Sequence, residues 1–246
     1  MKKILTIFLL FTISLIASNT SATTYAQINE EPQNIDLMFE SAKNQYYKNL
    51  KSGKSIDNDI QYFTLTNQDG EKFKVKAFKY QEKNKASNSD INQIVETYVA
   101  SADKEFIEPI KENNNSNISP LLSGSNEGYD NSLGVKSVIT LTYNRAAGTN
   151  NYLLTNVSGT WKIDDPKISI SNRSVRMACV TPITTNQNIV KYPTSNSFNY
   201  ATGFTKYATS TSLGHGLGAT TSATLKRGTS SKWTFEFNYS LFNNPY

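Results

Sequence analysis

The chain is poor in the residues that usually brace a small extracellular domain or give it a reactive centre. In 246 residues it has one cysteine, Cys179, and one histidine, His215. A lone thiol excludes an intramolecular disulfide, so a bridge worth about 2–4 kcal/mol is not available to hold the fold. A lone histidine with no clustered second ligand excludes the usual zinc spacings. Arginine is scarce too: the four are Arg145, Arg173, Arg176 and Arg227, all in the second half. After residue 16 no apolar run approaches the roughly 20 residues that a membrane helix needs. Gly214-x-Gly216-x-Gly218 lacks the spacing and the strand–turn–helix context of a phosphate loop. Asp57-Asn58-Asp59 lacks the glycine and distal glutamate of a calcium loop. No cofactor is expected.

The N-terminus carries the clearest signal. Lys2 and Lys3 precede an uncharged apolar run, Ile4 to Ile16, and small and polar residues continue to Ala26. This is the three-part layout of a secretory signal peptide over residues 1–26, with cleavage after Ala22 or Ala26. No cysteine follows closely enough to take a lipid. The expected product is secreted, disulfide-free and without a lipid or transmembrane anchor. A composition rich in Asn, Lys and Ser suits a bacterial source.

The net charge of +5 hides an asymmetry. Residues 23–112 hold 12 lysines, no arginine and 15 acids, whereas residues 113–246 hold 11 basic residues and 5 acids. A mildly basic module outside a cell meets anionic wall polymers, glycans or membrane surfaces through screened electrostatics. Nothing in the pattern marks a nucleic-acid binder.

Two halves are written in different patterns. In residues 27–112, Asn34 is a helix cap, Ile35, Met38, Phe39, Ala42, Tyr46 and Leu50 recur at helical spacing, and Gly53 follows Lys51. Phe63 and Leu65 alternate with polar residues, Asn67-Gln68-Asp69-Gly70 turns the chain, and Phe73, Val75 and Ala77 alternate on the return. Lys72, Lys74 and Lys76 then share the opposite face. Ile91, Ile94, Val95, Tyr98, Val99, Ala102 and Phe106 predict a second amphipathic helix, closed by Pro109. Residues 113–128, rich in Asn, Ser and Gly, read as a linker.

Residues 129–246 read as all-β, with seven or eight short strands. The cleanest is Lys232 to Phe242, where Trp233, Phe235, Phe237, Tyr239 and Leu241 share one face. The expectation is therefore an α+β chain: a helix and hairpin region, then an antiparallel sandwich or small barrel.

Cys179 shares parity with Val175 and Met177, which predicts a core thiol rather than a nucleophile. His215 stands among glycines of one parity and apolar residues of the other, a bare face that admits close approach of another backbone or a ligand. Lys206 and Tyr207, with the Lys226-Arg227-Gly228 turn, are the candidate surface residues for an anionic or sugar ligand. The expected function is a non-enzymatic binding or interaction module at the cell envelope, with Lys206, Tyr207, Lys226, Arg227 and His215 as candidate contacts. The alternatives are a membrane-active toxin or bacteriocin-like protein, and a hydrolase using an unrecognised site.

Overall fold

Asn34 begins the first ordered element: its side-chain oxygen accepts from the backbone N–H groups of Asp36 and Leu37, at 3.0 and 3.4 Å. That satisfies donors that a helix start leaves without partners. Helix α1 runs Ile35–Lys51, and Gly53 follows it at φ +68°, a conformation that favours glycine. In this computed structural model the described residues are 34–56, 59–88, 91–110, 133–181, 187–229 and 231–243. The segments expected to be a leader, 1–26, and a linker, 113–128, lie outside them.

The strands are β1 Ile60–Asn67, β2 Lys72–Asn88, β3 Ile91–Ser101, β4 Ile107–Pro109, β5 Val135–Ala146 and β6 Asn151–Ile163. Then come β7 Ile168–Val180, β8 Gln187–Lys191, β9 Ser197–Ala201, β10 Ala208–Thr209, β11 Gly216–Arg227 and β12 Ser231–Asn243. All belong to one antiparallel sheet in the order β10-β6-β5-β3-β2-β1-β12-β11-β7-β8, with β4 on β2 and β9 on β6. The sheet curls into a half-barrel, not a sandwich of two sheets. Strands from both sides of residues 111–132 share it, since β3 pairs β5 and β1 pairs β12.

The second amphipathic helix is not formed. Residues 91–101 are strand β3, followed by a single 3-10 turn at Lys104–Phe106. The reason is packing on both faces. Tyr98 and Ala100 point into the barrel, while Val99 points outward beneath α1. A strand buried on both sides carries apolar residues at successive positions, and a subset of these falls at helical spacing. β-branched and aromatic residues in the segment suit the pleat.

Two cores result. The larger fills the concave side: Phe63, Val75, Tyr98, Leu141, Trp161, Met177, Leu225, Phe235 and Phe237 are all buried there. The smaller lies between α1 and the convex side, where Phe39 meets Phe78 and Phe106 edge-on at 5.7 and 5.1 Å. A ring of ions pins the helix start. Lys136 and Lys162 each pair with both Asp36 and Asp164, at 2.5–3.0 Å. One irregularity explains a change of pattern in β7. Ile168 and Ile170 share one parity, Val175, Met177 and Cys179 the other, and a register shift opposite Ser222/Thr224 with Asn172 at φ +47° lies between them.

Candidate functional site

Helix α1 covers the outside of β2, β3 and β5, leaving the outer face of β1, β12, β11 and β7 to solvent. Because paired residues point the same way, the register writes that face as rows. Lys74, Thr64, Glu236, Ser222 and Ser174 form one row; Lys72, Thr66, Thr234, Thr224 and Ser171 form the next. Lys232, Lys226 and Ser169 form a third at the hairpin end, and Asn238, Thr220 and Arg176 a fourth. With strands about 4.8 Å apart, five strands span roughly 19 Å. The face is hydroxyl-rich; Glu236 lies among Lys72, Lys74, Lys226, Lys232 and Arg176, and Glu108 of β4 sits opposite Lys74 in the first row. Lys74 Nζ lies 5.4 Å over the Tyr62 ring, so one cation is held beside an exposed aromatic. Lys76 is drawn 3.6 Å from Glu108.

Lys226 and Lys232 are direct cross-strand partners across the β11–β12 hairpin, both exposed. Like charges placed opposite one another in a sheet destabilise it. No carboxylate lies within ion-pair distance of either among the described residues. Compared with family models, curated proteins and solved structures, this chain matches none.

The five residues singled out from sequence do not form one site. Lys226 is on the basic face. Arg227, its neighbour, points the other way and pairs with Asp165 at 2.8 Å. Lys206 lies at the opposite end: its carbonyl accepts from Cys179 Sγ at 3.2 Å and Gln187 Nε2 at 2.8 Å, and its side chain is exposed. Cys179 opposes Leu217, nine residues along β11 from Lys226, which is about 30 Å of strand. Tyr207 is half-buried beside Lys206. His215 Nδ1 accepts from the Thr209 N–H at 2.9 Å in the turn before β11.

The Cys179 thiol donates to the Lys206 carbonyl and not to His215. Burial pushes the Cys179 thiol up to about 11, opposite to the activation a nucleophile needs. The acceptor nitrogen of His215 is occupied by Thr209. No cluster of three or more His, Cys, Asp or Glu fit to hold a metal occurs among the described residues. The bare glycine face has a structural use, because a Cβ on Gly218 would stand 2.2 Å from the Tyr239 carbonyl oxygen. Among the described residues no helix is long and apolar enough to cross a membrane. A shallow groove of about 480 Å³ along α1, lined by Asn44, Tyr47, Lys48, Lys51 and Ser52, is open to solvent.

Lys232 was legible in principle. Once the hairpin sets Arg227 opposite Ser231, Lys226 must fall opposite Lys232.

Proposed function

We propose that this is a secreted binding protein of the cell envelope, and that its open outer sheet face takes an anionic polymer. The observation that carries this reading is the Lys226–Lys232 pair: two lysines set opposite each other in the sheet at a cost, with no acid in ion-pair reach among the described residues. An anion between them removes that cost. Lys72 and Lys74 extend the positive charge across the face, and the Ser and Thr hydroxyls between them offer hydrogen bonds to sugar or polyol oxygens. Lysine suits phosphate as a point charge and needs no fixed fork geometry. The hydroxyl-rich surroundings and the five-strand width of the face favour a repeated, extended ligand over a small molecule.

The test is retention on isolated bacterial cell walls across a salt series, comparing the native chain with Lys226→Glu/Lys232→Glu. Native retention that falls steeply with salt and is lost in the variant supports the reading. Equal retention of both, or none at low salt, overturns it. Lys206→Glu serves as the control at the other end of the barrel and leaves retention unchanged.

A further inference from the structure

Near the middle of the outer sheet face stands an acid that the lysines around it do not pair. Glu236 of β12 is half-buried, with Thr64 of β1 on one side and Ser222 of β11 on the other. Thr234 and Asn238 flank it along its own strand, and Thr66, Thr224 and Thr220 take diagonal positions. All of these neighbours are uncharged. The cations begin one position further out. Lys74 is two strands away, about 10 Å by strand spacing, and Lys232 is four residues back along β12, about 14 Å. Lys72, Lys226 and Arg176 stand at similar removes.

These separations exceed the Debye length of roughly 8 Å at physiological salt. Among the described residues Glu236 makes no ion pair or hydrogen bond, and Lys74 Nζ lies over the Tyr62 ring. Glu108 shows the contrasting arrangement. It faces Lys74 across the β2–β4 ladder and comes within 3.6 Å of Lys76. An acid that offsets the lysines of a sheet sits opposite one, as Glu108 does; Glu236 sits opposite hydroxyls.

We propose that Glu236 receives an ammonium group of the bound polymer, so that the ligand is zwitterionic, with amines set between its phosphates. This rests on the reading of the outer face as a polyanion site and narrows the class of polymer. A purely anionic chain running from Lys72 and Lys74 to Lys226 and Lys232 crosses Glu236 and is repelled there. An ammonium at that place turns the repulsion into attraction. A primary ammonium carries three N–H donors, and hydroxyl oxygens as well as carboxylates accept. The Glu236 carboxylate, with the Thr64 and Ser222 hydroxyls beside it in the same row, supplies acceptors for them.

Binding of the full chain to a matched pair of probes tests this. One is poly(glycerol phosphate) carrying aminoacyl esters; the other is the same polymer after mild alkaline removal of the esters. Glu236→Gln keeps the side-chain shape and removes the charge. It is expected to weaken binding of the aminoacylated polymer about two- to fivefold, the size of one exposed ion pair. Binding of the bare polymer is expected to tighten by a similar factor, because the repulsion is gone. A change of the same sign toward both polymers, or none toward either, overturns the proposal. If the native chain binds neither polymer, or Lys226→Glu/Lys232→Glu binds both as the native chain does, the polyanion reading itself fails and this inference falls with it.

Discussion

Cys179 sits under Leu217 in the barrel, its thiol donating to the Lys206 carbonyl, and burial raises it to about 11. At neutral pH it stays protonated, so disulfide reagents are expected to label the native chain at least about tenfold more slowly than the urea-unfolded chain. The ion ring at the start of α1 acts in the opposite direction. The hydrogen bonds from Lys162 and then Lys136 hold the Asp36 carboxyl below its ordinary value. Burial pushes Asp164 up, but the same two lysines outweigh it and leave it lowered. A lowered carboxylate contributes stability that is present above its unfolded value and lost as pH falls through the folded one. The melting temperature is therefore expected to drop on acidification below about pH 4, with a shallower drop in Asp164→Asn. High salt weakens the effect, because the ring is partly exposed. Lys136 and Lys162 are raised, so their share is complete below the ordinary lysine value and disappears above it.

Individual elements were legible wherever one face alone is buried. The Asn34 cap, α1, the β1–β2 hairpin and the alternation of β12 all follow from their residues, though β2 runs on to Asn88, well past the alternation that ends at Ala77. Legibility failed at β3 because Tyr98 and Val99 serve different cores. No local rule says that a helix will cover the back of that strand. The cost of removing the cover is measurable. Phe39→Ala takes away a ring packed on Phe78 and Phe106, and is expected to cost about 3–5 kcal/mol in urea unfolding. The glycines of β11 are a second element-scale constraint. Gly218→Ala puts a methyl into the Tyr239 carbonyl and is expected to lower the unfolding midpoint through the β11–β12 ladder. The basic face was half legible: the lysine stripe of β2 reads from alternation, but its continuation onto β12 and β11 needs the β1–β12 pairing.

At the scale of the molecule, that pairing turns two sequence patterns into one sheet, with α1 on one part of its outside and the lysine–hydroxyl face on another. Charge on that face is expected to be felt globally. Lys232→Ala relieves the opposed pair and should raise the melting temperature of the unliganded chain. Inorganic polyphosphate should raise it in the native chain and much less in the variant. The β1–β12 ladder also governs time. Phe63 cannot meet Phe237 until β12 has been made, so a ribosome-bound precursor can form α1 and its hairpins but cannot join the two parts of the half-barrel sheet. Refolding from urea is expected on the milliseconds-to-seconds scale of non-local β pairing. Until its last strand emerges, the polypeptide stays open and threadable, the condition in which a chain can still be passed through a narrow channel.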